Sequence, residues 1–464
     1  MTYDIAVIGG GPGGYVGALR AAQLGKKVIL FEDENLGGTC MNWGCIPAKY
    51  LLEQTKLFAQ AKESPLLVGP KHELQCDWEK VQRGKNELVR RFTRGIAFLL
   101  EKNGVNLVHG HARLVEPHQI EVEGPDAASR YEADSIILAT GARPAALPFL
   151  RPDGKDILTS REALDLSQIP KDMLIIGAGA IGLELGTMFQ RIGTEVTVLE
   201  MMPTILPGAD AEVTQRLERL LKKQGLRIFT GVKITHADKA SGKITVAGKH
   251  ADKPQPLSFS AEKVLLAVGR TPRSEILEPL SSEFLDEKGF VRVSQELETN
   301  LPGVYAVGDL IGGKLLAHKA SHEGIIAAEN ASGAHRRMDY RALPMAVFTD
   351  PEFASVGLTE QQAQQQGFPV KSGVFFLQAN GRAMTMGKPD GMVKILADDK
   401  DRIIGAHLLA PGASEILGEL VLATANRMRL EDVGNLVHIH PTLSEAVMEA
   451  ALKAQGKALH ALNA

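Results

Sequence analysis

The sequence predicts an α/β chain built around two Rossmann-like dinucleotide-binding domains, with a further region after them. A pattern of strand, glycine loop, helix and strand ending in an acid occurs twice, with the same loop-to-acid spacing in both copies. The 464 residues leave room for a third region, since a domain commonly takes about 100–200 residues.

The first copy opens on the apolar run Asp4-Ile-Ala-Val-Ile8. Gly9-Gly-Gly-Pro-Gly-Gly14 comes next, with Gly9, Gly11 and Gly14 in G-x-G-x-x-G register. A helix is expected over residues 15–24, then a strand at 27–31 ending in Glu32. The second copy repeats each part: the strand Met173-Leu-Ile-Ile176, the loop glycines Gly177, Gly179 and Gly182, a helix to about residue 192, and a strand at 195–199 ending in Glu200. Gly9 to Glu32 and Gly177 to Glu200 both span 23 positions.

In such a unit the first glycine makes a tight turn, the second lets a pyrophosphate approach the backbone, and the third lets helix and strand pack closely. The pyrophosphate then meets free N–H groups at a helix N-terminus. The acid accepts hydrogen bonds from ribose hydroxyls. Glu200 also bears on the choice of dinucleotide, because a carboxylate repels a 2′-phosphate and NADP sites usually place arginine nearby. Met201-Met-Pro203 carries none, so NAD is expected over NADP.

Two further segments support the repeat. Ile136-Ile-Leu-Ala-Thr-Gly-Ala-Arg-Pro144 and Val264-Leu-Leu-Ala-Val-Gly-Arg-Thr-Pro272 are apolar strands ending in glycine near arginine and proline. Each reads as a later strand of its own unit. Val304-Tyr-Ala-Val-Gly-Asp309 is expected as another strand, ending in Gly-Asp.

Composition is that of an ordinary globular chain, with 44 % apolar and 23 % charged residues. The formal net charge of -3 gives no basic footprint for nucleic acid. No apolar run approaches the roughly 18 residues of a membrane span. The N-terminal residues lack a signal-peptide pattern, so a cytoplasmic setting is expected, or an organelle matrix if a transit peptide has been removed.

Three cysteines do not make a disulfide scaffold in a chain this long. Cys40 and Cys45 lie in Gly37-Gly-Thr-Cys-Met-Asn-Trp-Gly-Cys-Ile-Pro-Ala-Lys49, shortly after the first acid. Metal, redox chemistry and two unrelated thiols are the open readings. A zinc site would need a second pair of ligands, and Cys76 is isolated, so no metal is expected. The redox reading has a mechanism. A helix is expected after Pro47, which places Cys45 at or just before its N-terminus, where the dipole stabilises a thiolate. Lys49 would share a face with it. Alone, Lys49 would read as an exposed helix lysine. Beside a redox pair, it is a candidate stabiliser of the thiolate and of a reduced flavin.

On residues 9–14, 37–49, 177–184, Gly308-Asp309, Leu316-Ala-His-Lys-Ala320 and His438-Ile-His-Pro-Thr-Leu-Ser-Glu445, the chain resembles the two-cysteine flavoprotein disulfide reductases over its full length. Within them it is most similar to the branch that oxidises dihydrolipoamide with NAD+. The resemblance implies an FAD domain over 1–145, an NAD domain over 146–272, a segment over 273–343 returning to the FAD domain, and an α+β dimerisation domain over 344–464. It implies one non-covalent FAD per subunit, contacted by Gly9, Gly11, Gly14, Glu32, Lys49, Thr140, Gly141, Asp309, Leu316, Ala317 and His318. NAD+ would be held by Gly177, Gly179, Gly182, Glu184, Glu200 and Gly269.

The resemblance also assigns roles. Cys40 and Cys45 form the redox disulfide, with Cys45 facing the flavin and Cys40 the substrate. His440, held by Glu445, is the acid–base and reaches across a homodimer to the other subunit's cysteines. Glu184 pairs with Lys49. Lipoyl-bearing subunits of 2-oxo acid dehydrogenase or glycine-cleavage complexes are the expected partners. Trp43, Tyr50 and Ile439 depart from the commoner pattern and could tune substrate access or potential.

NADPH-dependent reductases of the glutathione reductase type are the nearest rival, and Glu200 argues against them. A mercuric reductase usually adds a C-terminal cysteine pair, absent from residues 459–464. A reading from another class, a structural subunit docked into such complexes, would show binding without dihydrolipoamide turnover.

Overall fold

The protein is described by a computed structural model covering residues 2–70, 73–123, 128–240, 242–251, 253–280, 284–367 and 369–463. Its first apolar run becomes the strand Thr2–Ile8, buried throughout 5–8. It is the middle of a parallel set, with Val28–Glu32 and Asn106–His109 on one side. On the other side are Ser129–Leu138 and, beyond it, Val304–Ala306. Burial on both faces explains why these segments read as unbroken apolar runs rather than alternating ones. The helices Pro12–Gln23 and Ala317–Ala331 pack against each other beside this sheet. The first half of Ser129–Leu138 also pairs antiparallel with Gln119–Glu123, which pairs with His111–Glu116.

The second unit repeats the plan. Its parallel sheet runs Arg227–Phe229, Glu195–Leu199, Asp172–Ile176, Lys263–Leu266 and Ile157–Leu158. Three antiparallel strands, Val232–Ala240, Lys243–His250 and Lys253–Ala261, lie beside it. A two-stranded ribbon, Ala142–Pro144 with Arg270–Pro272, joins the two units. The two Gly-Ala/Arg-Pro segments noted in the sequence are therefore paired with one another just past their own sheets.

The C-terminal region is α+β. Its antiparallel sheet runs Met345–Val347, Glu352–Gly357, Ile403–Ala410, Met392–Ala397 and Lys371–Phe376. Helices Ala413–Ala425 and Glu445–Ala454 pack on it. A buried cation ties this region to the second unit. Lys394 Nζ lies 3.2 Å from Asp210, 3.0 Å from Glu212 and 2.7 Å from Glu360.

Three sequence expectations are corrected. The helix after Pro47 begins earlier, as Cys45–Glu63, because the backbone break comes at Gly44. The helix expected from residue 15 begins at Pro12, whose fixed φ suits the first helical position. The strand expected to reach Asp309 ends at Ala306, and a 3-10 turn, Gly308–Ile311, carries the aspartate.

Candidate active site

The two glycine loops have the same wiring. In the first, the Gly10 amide donates to Glu32 Oε2 at 2.7 Å and the Glu34 amide to Glu32 Oε1 at 2.8 Å. In the second, the Ala178 amide donates to Glu200 Oε2 at 2.7 Å and the Met202 amide to Glu200 Oε1 at 2.8 Å. Each acid thus clamps its own loop as well as standing at the end of its strand. Gly9 and Gly177 hold φ of 101° and 107°, a region that glycine occupies without strain. A Cβ on Gly14 or Gly182 would strike the carbonyl oxygen of Gly9 or Gly177, so close helix–strand contact sets the third glycine in each loop.

A cleft runs from the first loop past Glu32, Thr140 and Gly141 to Cys40, Cys45, Lys49 and Glu184, with Asp309, Leu316 and Ala317 along its wall. Ala180 and Ile181 of the second unit also reach it. The remaining second-unit candidates, Gly177, Gly179, Gly182, Glu200 and Gly269, lie outside this cleft. Around Gly179 and Gly269 the space a Cβ would take is open. His318 is exposed, with Nε2 2.9 Å from the Pro344 carbonyl oxygen, and does not line the cleft.

Cys45 is the first residue of Cys45–Glu63, with Gly44 as N-cap. Its amide has no partner within the helix and donates to the sulfurs of the pair instead, which favours the thiolate form. The Cys40 thiol donates to the Cys45 sulfur, and that bond lowers the Cys45 pKa to about 7 against the opposing effect of burial, with Lys49 adding to the lowering. The same bond, with burial, raises the Cys40 pKa. The two thiols are thus split into an acidic one and a reluctant one.

Lys49 Nζ lies 2.7 Å from Glu184 Oε2 and 4.5 Å from the centre of the Phe348 ring. The Phe348 amide donates to Glu184 Oε1 at 3.0 Å. Glu184, in the second unit, is therefore held by the first unit and the C-terminal region at once.

The wall behind Asp309 is a buried polar network. The Gly308 amide donates to Glu323 Oε2 at 2.8 Å, and Lys319 Nζ donates to the Gly308 carbonyl at 3.1 Å. Tyr340 donates to Glu323 Oε1 at 2.6 Å. Burial raises the Asp309 pKa, with Arg270 and Lys319 opposing it. Arg270, legible in the sequence only as part of a strand end, lines the same cleft. It donates to the Ala142 carbonyl and lies 3.3 Å from Thr39 Oγ1. Its Nε is buried, 3.5 Å from Asp309, and lacks a hydrogen-bond partner among the described residues. A glycine-lined helix start and an incompletely satisfied guanidinium line one cleft, donors that fit the negative charge of a dinucleotide such as FAD.

His440 stands apart. Its Nδ1 lies 2.8 Å from Glu445 Oε1, and the Thr442 amide donates to Glu445 Oε2 at 2.8 Å. Burial raises the Glu445 pKa, but the amide and the imidazole outweigh it and leave the carboxyl below its usual range. The His440 side chain is 78 % exposed and is not part of its own chain's cysteine cleft. Its chain neighbours Leu436, Val437 and Ile439 are exposed apolar residues, and large exposed apolar patches mark interfaces. His438, by contrast, is turned inward, with Nε2 3.2 Å from Glu419.

Among the described residues no cluster of His, Cys, Asp and Glu could hold a metal ion, and no helix is long and apolar enough to cross a membrane.

Residues 3–324 match the profile of the pyridine nucleotide-disulphide oxidoreductases, and residues 343–451 match that family's dimerisation domain. The chain is 42 % identical to the dihydrolipoyl dehydrogenase of Thermus scotoductus, over 100 % of this chain and 99 % of that protein. It is 39 % identical to the dihydrolipoyl dehydrogenase of Bacillus subtilis, over 99 % of each. Among solved structures, LpdA from Mycobacterium tuberculosis is similar with a TM-score of 0.89 at 27 % identity, covering 97 % of this chain and 99 % of that one. The HOCl-induced flavoprotein disulfide reductase RclA from Escherichia coli is similar with a TM-score of 0.84 at 25 % identity, covering 97 % and 99 %.

Proposed function

The chain belongs to the pyridine nucleotide-disulphide oxidoreductase family, and we propose that it oxidises protein-bound dihydrolipoamide to lipoamide with NAD+. The observation that carries this reading is the cysteine pair. One acidic and one reluctant thiol share a cleft with a dinucleotide loop and the Lys49–Glu184 ion pair. Full-length relatives named dihydrolipoyl dehydrogenase supply the substrate class.

FAD would be held by Gly9, Gly11, Gly14, Glu32, Lys49, Thr140, Gly141, Asp309, Leu316 and Ala317, and NAD+ by Gly177, Gly179, Gly182, Glu184, Glu200 and Gly269. Held there, FAD would supply two-electron redox chemistry between the dithiol and NAD+. Glu200 suits a ribose diol and repels a 2′-phosphate, which speaks against an NADPH-dependent reductase of the glutathione reductase type.

Each residue has its own part in the exchange. His440 of a second copy takes a proton from one substrate thiol, with Glu445 fixing its tautomer and raising its basicity. The substrate thiolate attacks the sulfur of Cys40 in the oxidised pair. The Cys40–Cys45 bond breaks, and Cys45 leaves as a thiolate, which Lys49 and the helix start stabilise. The second substrate thiol then attacks the substrate sulfur bound to Cys40. Lipoamide leaves as a disulfide, while His440 hands its first proton to the departing Cys40 sulfur and takes up the proton of the second substrate thiol. Two electrons now reside on the cysteine pair.

The active site so built needs a homodimer. Lipoyl-bearing subunits of 2-oxo acid dehydrogenase or glycine-cleavage complexes are the partners of this reading. A reducing, cytoplasm-like compartment suits it, because there a close cysteine pair serves redox chemistry rather than scaffolding. The test is a spectrum and a turnover assay on purified protein. Bound flavin and NAD+ reduction by dihydrolipoamide are expected, with little NADP+ activity. Flavin without dihydrolipoamide turnover, or a clear preference for NADP+, would overturn the assignment.

A further inference from the structure

The short helix Gly38–Trp43 carries Cys40, and on the first unit's side its apolar anchor is Met41, packed against that unit's core. It has six residues, no side-chain cap and no buried residue, and its N-cap is Gly37 at φ 90°. A helix this short is not stable on its own in water. The Asn42 amide side chain donates to the Leu36 and Gly38 carbonyls, each at 3.0 Å, which are contacts within its own segment. Its polar links outward are long: Asn42 Oδ1 accepts from Thr93 at 3.4 Å, and Thr39 Oγ1 accepts from Arg270 at 3.3 Å.

Its last residue makes a broader tie to the second unit. The Arg161 guanidinium carbon sits 4.0 Å from the centre of the Trp43 ring. Arg161 Nη1 also lies 3.3 Å from Glu34 Oε1. Arg161 belongs to the second unit, in the helix Ser160–Leu164, whose start is fixed by a capping box between Thr159 and Glu162. Glu34 lies two residues beyond the first loop's acid. Trp43, Glu34, Ser160 and Leu164 all line the cysteine cleft. An exposed ion pair alone contributes little. A guanidinium stacked on indole contributes more and fixes orientation.

We propose that Trp43 and Arg161 form a clamp between the two units that closes one edge of the flavin cleft and positions the Cys40 helix. Trp43 is a positioning residue for the disulfide exchange, and Arg161 acts through it. The clamp rests on the flavin reading given above. Without the indole, the Cys40 helix loses this tie to the second unit and that edge of the cleft opens.

The test uses flavin-loaded wild-type enzyme with Trp43→Val, Trp43→Phe, Arg161→Ala and the double variant Trp43→Val/Arg161→Ala. FAD loss is followed by the rise in free-flavin fluorescence on dilution. The pH at which the thiolate–flavin absorbance of the two-electron-reduced enzyme appears is recorded in parallel. Trp43→Val and Arg161→Ala are each expected to lose FAD about tenfold faster, the scale of one well-placed cation–π contact. Trp43→Phe should stay near wild type. The double variant should lose FAD no faster than either single one, because the two side chains form one contact. The absorbance transition should move in the same variants. Arg161→Ala, at a half-exposed position, serves alone if Trp43→Val does not fold. Unchanged FAD loss in the single variants, or a double effect equal to the product of both, overturns the clamp. Wild-type protein that binds no FAD when supplied with it overturns the functional reading as well.

Discussion

Lys49 Nζ lies 2.7 Å from Glu184 Oε2, which joins the helix that begins at Cys45 to the helix after the second glycine loop. Lys49 lowers the Cys45 pKa and Glu184 raises it, so the ion pair sets the thiolate between two opposed charges. The Cys45 pKa of about 7 lies below the ordinary thiol value of 9.0. In the reduced enzyme the folded state therefore releases this proton first. The resulting stability is present above the ordinary value and is lost as pH falls through about 7. Lys49→Met should raise the Cys45 pKa, so that alkylation of the reduced enzyme needs higher pH, and should slow turnover at neutral pH about tenfold or more. An alkylation profile that still rises near wild-type pH in Lys49→Met would rule out this coupling.

The His440–Glu445 pair outside its own cleft leads to a complementation experiment. His440→Gln should lower kcat about 10²- to 10⁴-fold and leave flavin binding intact. Mixing inactive His440→Gln chains with inactive Cys40→Ser chains should restore activity, because a mixed dimer holds one site with both an intact histidine and an intact cysteine pair. Verified mixed dimers with no regained activity would place the acid–base elsewhere.

At Glu200 the measurement is the ratio of kcat/KM for NAD+ and NADP+. Glu200→Ala removes the acid that repels a 2′-phosphate and also frees the Ala178 and Met202 amides. The ratio should fall about tenfold or more, through both poorer NAD+ use and better NADP+ use. An unchanged ratio would remove Glu200 from dinucleotide choice.

Thermal unfolding tests the buried cation of the C-terminal sheet. The Lys394 and Asp210 side chains are each 2 % exposed. Lys394→Met leaves Asp210 without its cation in a buried site and should destabilise the protein by about 3–5 kcal/mol, the scale of breaking a buried pair from one side. Burial lowers the Lys394 pKa, but Glu360, Asp210 and Glu212 outweigh that and raise it. The sign then places the pair's contribution fully below the ordinary lysine value of 10.5, with its loss only at more alkaline pH. A variant as stable as wild type at neutral pH would show that the cluster carries no net stability.

The glycine loops, their acids and the cysteine pair are legible in the sequence because each is a short-range pattern whose spacing has a mechanical reason. The features that are not legible depend on contacts between distant segments. Nothing local to Arg270 indicates that it points at Asp309 and Thr39, although its place after Gly269 marks a strand end. Phe348, whose ring and amide hold the Lys49–Glu184 pair, lies far along the chain from both. Lys394 sits in the run Met392-Val-Lys-Ile-Leu396, where it reads as an exception in an apolar strand until Asp210 and Glu360 meet it. Helix starts are displaced by a few residues because Gly44 and Pro12, rather than the apolar pattern, set them.

The doubled loop wiring has a consequence for where chemistry can arise. Two copies of one frame, clamped by equivalent acids, are nearly interchangeable as scaffolds. The halves differ most in the stretch of chain beyond the acid. In the second, the chain reaches the strand Arg227–Phe229 after the helix Ala211–Lys223 alone. In the first, the helices Gly38–Trp43, Cys45–Glu63 and Trp78–Lys102 intervene before Asn106–His109. Cys40 and Cys45 both lie in that extra stretch. The proposed reactive centre is thus an insertion that breaks the symmetry of a repeated frame, and the second copy serves as a built-in reference for what the frame does without it.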